Sequence, residues 1–116
     1  MNGEVHLMTD ELQIKRMRLE ILNDVEDSTK DEIFKVKLND AKWIALDALY
    51  PFNNEITELP ERYKNWQVRC AIELYKLIEE GYLSYSENSL SWSKASDYLP
   101  KELMKELIPK ADVPRW

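Results

Sequence analysis

Apolar residues recur at helical spacing in four stretches of the chain, each bounded by residues that start or stop helices. The first stretch runs from about Asp10 to Leu22. Thr9 stands before it as an N-cap, and Asp10 and Glu11 put negative charge at the favourable end of the helix dipole. Leu12, Leu19 and Leu22, with Met8 ahead of the cap, supply one apolar stripe, which Ile14, Met17 and Ile21 make broad. Asn23 to Thr29 is a polar, acidic connection. A second helix begins near Lys30, where Thr29 with Glu32, or Ser28 with Asp31, has capping-box spacing. Ile33, Val36, Ala41, Ile44, Ala45, Ala48 and Leu49 carry its apolar face. Asn39 and Asp40 interrupt that face and allow a break or bend. Tyr50-Pro51 closes the run, because proline disfavours helical geometry in the residue before it.

The third helix opens at Leu59-Pro60-Glu61, where proline's missing N–H costs no internal bond. Tyr63, Trp66, Ala71, Leu74, Tyr75 and Ile78 form its main face, with Cys70 and Leu77 beside them, and Gly81 is a natural left-handed stop. Leu99-Pro100 repeats the leucine–proline start, and Leu103, Met104, Leu107 and Ile108 make a compact stripe ended by Pro109. Between the third and fourth helices lies LSYSENSLSWSKASDYL, from Leu83 to Leu99. It alternates large apolar residues (Leu83, Tyr85, Leu90, Trp92, Tyr98) with serines, and carries little charge. That pattern predicts a short β-hairpin or extended adhesive loop whose edge is free to pair with another subunit. The expected fold is therefore mainly α: a small bundle of about four helices with that hairpin or loop between the third and fourth. Its expected core includes Ile44, Leu49, Trp66, Ala71, Leu74 and Ile78. One domain spans 1–116, with 1–8 and 110–116 as flexible or interface-forming tails.

Charge and composition narrow the function. The net charge of −6 argues against a protein whose main task is to grip nucleic acid, which takes a basic face. The negative charge sits in the first sixty residues; from residue 61 onward acidic and basic residues balance. Several copies lining a channel would repel a DNA duplex weakly and let it slide. Twelve aromatic residues, several outside the helices, favour a protein interface. The lone Cys70, on a helical pattern, reads as a buried thiol in a reducing compartment. No apolar run approaches a membrane span, and the N-terminus lacks the features of a signal peptide, so a soluble protein made in the cytoplasm is expected.

Candidate chemistry is sparse. His6 has no cysteine or second histidine at ligand spacing. Asp24, Glu26, Asp27, Asp31 and Glu32 lack the glycine and the alternating oxygen ligands of a calcium-binding loop. Glu73 and Glu80 share a helix without forming a recognisable acid–base pair. The serines have no GxSxG context, and Gly3 and Gly81 make no phosphate loop. An enzyme is not expected, nor a metal or cofactor. Arg62, Lys64, Arg69 and Lys76 give the third helix some basic character, offset by Glu61, Glu73, Glu79 and Glu80.

The order of these elements resembles the head–tail connector, or adaptor, proteins of long-tailed double-stranded DNA phages and prophages. The resemblance covers roughly residues 8–113. It rests on DAKWIALDALYPFN at 40–53, LPERYKNWQVRCAIELYKLIEEGYLSYSENSLSWS at 59–93 and YLPKELMKELIPKADVP at 98–114. The glycine that the family carries in its serine-rich segment is absent here. The resemblance implies a structural virion protein at the head–tail junction, assembling as a dodecamer beneath the portal protein. Such a ring extends the channel for double-stranded DNA and offers a rim to a stopper or tail-completion protein. Closing a ring takes two different, complementary faces on each copy. Candidate contacts are residues 83–93 and the fourth helix, with Leu83, Tyr85, Leu90, Trp92, Tyr98, Leu103, Leu107 and Trp116 as anchors. The competing reading is a small prophage-encoded regulator that binds protein or DNA.

Overall fold

Thr9 starts the first helix as its sequence position predicts: its Oγ1 accepts from the Leu12 amide at 3.2 Å. In a computed structural model, which describes residues 9–53, 55–80 and 97–107, helix α1 runs over Asp10–Met17 and continues as a π-helical turn, Arg18–Leu22. Helix α2 spans Asp31–Leu49. A 3-10 turn, Glu61–Tyr63, leads into α3, Lys64–Glu79, and α4 spans Lys101–Lys105. The fold is mainly α, and the described residues contain no strand. Of the hairpin or loop expected between Leu83 and Leu99 only 97–99 are described, and they form a turn; the rest of it, the stop expected at Gly81 and the proposed tails lie outside the described residues.

Helix α1 buries Gln13, Ile14 and Met17. Leu12 and Leu19, expected on its apolar stripe, instead face solvent, Leu19 at 52 % exposure. At about 100° per residue Leu12 lies roughly opposite Ile14, so the helix can bury one of the two stripes and not both. The wider π turn then brings Ile21 and Leu22 against the core. Asn23 ends it in the left-handed region at φ 56°, a conformation its short polar side chain tolerates.

The start of α2 departs from both expected capping boxes. Thr29 turns its hydroxyl to Asp27 Oδ1 at 2.6 Å, which also accepts the Thr29 amide at 3.0 Å. Asp31 is held by Arg18, whose Nε donates to Oδ1 at 2.9 Å and whose Nη2 pairs with Oδ2. Lys30 therefore occupies the cap position without a side-chain bond to the helix.

No break interrupts α2 at Asn39–Asp40. Asp40 is buried because Lys37, one turn earlier and equally buried, places Nζ 3.0 Å from its carboxylate. A polar residue inside the apolar pattern here marks an internal ion pair rather than a bend. The buried face of α2 starts at Phe34, Lys37, Leu38 and Ala41, and Phe34 meets the Tyr75 ring edge-on at 5.4 Å.

Helix α3 is the central element, packing along α2 and also against α1 and α4. Trp66, Ala71, Leu74 and Ile78 are buried in one core with Ile44 and Leu49 of α2. Gln67 and Val68, absent from the expected face, are buried as well. Helix α4 closes the bundle with Leu103, Met104 and Leu107 turned inward. Fully burying a leucine is worth about 1.5–3 kcal/mol, so these residues stabilise the monomer. Leu103 and Leu107 are thus core residues and not the free anchors expected of them.

Candidate functional site

Three helices meet around a polar knot at the base of a groove. Gln13 on α1 donates from Nε2 to Gln67 Oε1 at 2.8 Å and to the Lys64 carbonyl at 3.1 Å. Gln67 on α3 donates from Nε2 to the Leu38 carbonyl of α2 at 2.7 Å. These bonds fix both amide orientations, because each nitrogen faces an acceptor. Gln13 Oε1, in a side chain only 1 % exposed, accepts no donor among the described residues. Above this knot lies a groove of about 620 Å³ between α1, α2 and the start of α3.

Lys15, Arg18, Lys35, Lys42 and Lys64 line the groove, with Asp10, Glu11, Asp31 and Glu58. Arg18 is tied to Asp31, which its guanidinium holds below the usual carboxylate range, and Lys15 lies 3.7 Å from Glu11. Lys42 rests over its neighbour Trp43 at 5.1 Å, while Lys35 and Lys64 make no ion pair with any described residue. Asp10 and Glu58 likewise make no ion pair with a described residue, so the groove's unpaired charges are three lysines against two carboxylates, in a chain of net charge −6.

Outside the groove several large apolar side chains stand in solvent. Leu12 and Leu19 mark the outer side of α1, Val36 and Trp43 that of α2, and Phe52 beyond α2 is 93 % exposed. Tyr98, an expected anchor, is also exposed. Leu83, Tyr85, Leu90, Trp92 and Trp116 lie outside the described residues. Helix α4, expected to reach a neighbour, is held to α3 by Trp66, whose Nε1 donates to the Leu103 carbonyl at 2.7 Å. Arg69 adds two bonds to Glu106, at 2.8 and 2.5 Å.

Of the basic residues expected on the third helix, all but Lys64 have internal partners. Besides Arg69, Lys76 lies 3.6 Å from Glu73, and Arg62 rests over the Tyr63 ring. Three of the acidic residues of 24–31 are likewise engaged, Glu26 excepted: Asp24 caps the Glu26 amide, Asp27 binds Thr29 and Asp31 binds Arg18. Among the described residues no three metal-ligating side chains converge. Cys70 is buried, and burial pushes its thiol far above the ordinary range, so it is not a nucleophile. No helix among the described residues is long and apolar enough to cross a membrane.

Sequence reasoning missed the glutamine knot and the Lys37–Asp40 pair. The signal lay in register: Gln13 precedes Met17 by four, Gln67 precedes Ala71 by four, and Lys37 precedes Ala41 by four, all on buried sides. Fold and groove together define a small helical bundle with a polar cleft lined by charges of both signs, and exposed apolar side chains on its outer sides. Comparison with protein-family models, curated proteins and solved structures finds no match to this chain.

Proposed function

We propose that this chain is a structural assembly protein that closes a ring with sister copies at a phage head–tail junction. One observation carries the reading: two separate helices each hold a pair of exposed apolar side chains outside an already closed core. Val36 and Trp43 are seven residues apart within α2 and form a ridge about 10.5 Å long on one side of it, while Leu12 on α1 and Leu19 on the π turn that continues it form the second exposed pair. Exposed apolar clusters of this kind mark protein interfaces, and two unlike faces on one chain are what cyclic closure needs. The resemblance in motif order to connector proteins supports the same reading. It adds the portal protein on one side of the ring, a stopper or tail-completion protein on the other, and double-stranded DNA passing through. The net negative charge supports passage without adhesion.

The inward orientation of Leu103 and Leu107 moves the proposed neighbour contacts from α4 to the outer sides of α1 and α2. Such a protein works by geometry: it matches the portal, keeps a passage open and presents a docking rim. Electron imaging of the purified chain mixed with its cognate portal tests this. A ring seated on the portal with the portal's symmetry is the expected result. A portal that stays bare at high concentrations of the chain contradicts the proposal.

A further inference from the structure

The groove between α1, α2 and α3 has features that an apolar ridge alone does not explain. Its floor holds a buried acceptor, Gln13 Oε1, with no donor among the described residues, an arrangement that costs stability unless a donor arrives from outside. Lys35 and Lys64 stand on its walls without an ion pair to any described residue, Lys35 feeling the Asp31 charge one turn away, and Lys42 rests over the Trp43 ring. A ligand suited to this groove brings carboxylates for the lysines and an N–H donor for the glutamine. An acidic stretch of polypeptide supplies both.

The chain itself carries such a stretch. Between α1 and α2, residues Asp24, Val25, Glu26 and Asp27 form an acidic turn with Val25 exposed at its tip. The turn is pre-shaped: Asp24 Oδ1 accepts the Glu26 amide at 3.0 Å, and Arg18 Nη1 donates to the Val25 carbonyl at 2.9 Å. A segment already fixed in shape loses little entropy on docking. The Glu26 carboxylate makes no ion pair with any described residue.

We infer that the groove of one copy receives the acidic 24–27 turn of the next. The carboxylates of the turn face Lys35, Lys42 and Lys64, and the Val25 N–H, the one amide of the turn without a partner among the described residues, reaches Gln13 Oε1. Turn and groove are different surfaces, so each docking event leaves one of each free. That is the head-to-tail arrangement which closes into rings. The inference rests on the ring proposal and specifies its subunit contact.

Isotope-labelled and unlabelled copies are mixed, with and without the cognate portal, and treated with a carbodiimide, which joins a carboxylate directly to an amine in contact with it. The expected products are mixed-isotope peptides joining Asp24, Glu26 or Asp27 of one copy to Lys35, Lys42 or Lys64 of another. The Lys35→Glu/Lys64→Glu variant, its folding checked by circular dichroism, lacks two of the coupling amines and is therefore scored by sedimentation, where association between copies is expected to weaken about tenfold or more. Adding Asp24→Lys and Glu26→Lys to that chain is expected to restore association between copies. Mixed-isotope pairs confined to other residues, or none at all, overturn the inference. Electron images of the same mixtures score the ring separately: a ring without these pairs refutes the groove contact alone, and neither ring nor pairs refutes both.

Discussion

Replacing Gln67 with leucine tests whether the glutamine knot holds the three main helices together. The substitution keeps the side-chain volume approximately and removes two buried hydrogen bonds, one from Gln13 and one to the Leu38 carbonyl. Neither former partner is left bare: Gln13 Nε2 keeps the Lys64 carbonyl, and the Leu38 carbonyl lies within the hydrogen-bonded span of α2. The cost therefore comes to two net hydrogen bonds, about 1–3 kcal/mol, rather than to the full desolvation of orphaned groups. Against a total stability of about 5–15 kcal/mol this is measurable. Urea unfolding followed by far-ultraviolet circular dichroism reads it as a lower midpoint at unchanged slope. A double-mutant cycle with Gln13→Leu isolates the contact between the two amides. The two single losses are expected to exceed the double loss by about 1 kcal/mol, because each single change removes the same shared bond. A neutral or stabilising Gln67→Leu, or a strictly additive cycle, refutes the knot as a tie between helices.

Burial holds the Asp40 carboxyl above the usual aspartate range, although Lys37 pulls it the other way. The folded chain thus takes up this proton at a higher pH than the unfolded chain, so this group's contribution to stability grows as pH falls through the raised value toward about 4. In an NMR titration Asp40 is expected to titrate above ordinary aspartates, and higher still in Lys37→Met; a value at or below the ordinary range refutes the burial argument. Asp31 has the opposite sign: its pairing with Arg18 stabilises above the ordinary carboxylate range and is lost as pH falls through its lowered value, a shift expected to vanish in Arg18→Ala. Trp66→Phe removes the donor to the Leu103 carbonyl, costs about 1 kcal/mol and speeds hydrogen exchange in residues 100–107 before the rest; uniform acceleration would show that α4 is not held by this bond. Cys70 is expected to resist alkylation in the native protein and to react along the urea unfolding curve; rapid native labelling would contradict its burial.

Much of the helical framework was legible because its signals are local. The Thr9 cap, the Leu59-Pro60 and Leu99-Pro100 starts and the spacing of Trp66, Ala71, Leu74 and Ile78 depend on near neighbours in sequence. The misreadings arose where two local solutions compete. Leu12–Leu19 and Ile14–Met17 are both acceptable stripes, and only tertiary contact, with Gln13 tied to α3, selects the second. Thr29 can serve a helix or an aspartate two residues back, and Asp27 wins with two bonds to one oxygen. Polar residues read as exposed or disruptive, which hid Gln13, Gln67, Lys37 and Asp40, because their burial depends on partners a sequence pattern does not reveal. Leu103 and Leu107 present the same stripe whether they face a neighbour or their own core; the Trp66 bond to α4 decides for the core.

The central claim, a helical bundle that joins sister copies through the outer sides of its first two helices, is tested most directly inside an assembled particle. Reconstruction of the head–tail junction by electron cryomicroscopy, at a resolution that traces α1 and α2, gives copy number and contact surfaces together. The account predicts a closed ring with the portal's symmetry, with Leu12, Leu19, Val36 and Trp43 covered by adjacent copies. A junction that lacks the chain, or holds it with those four side chains in solvent, contradicts it.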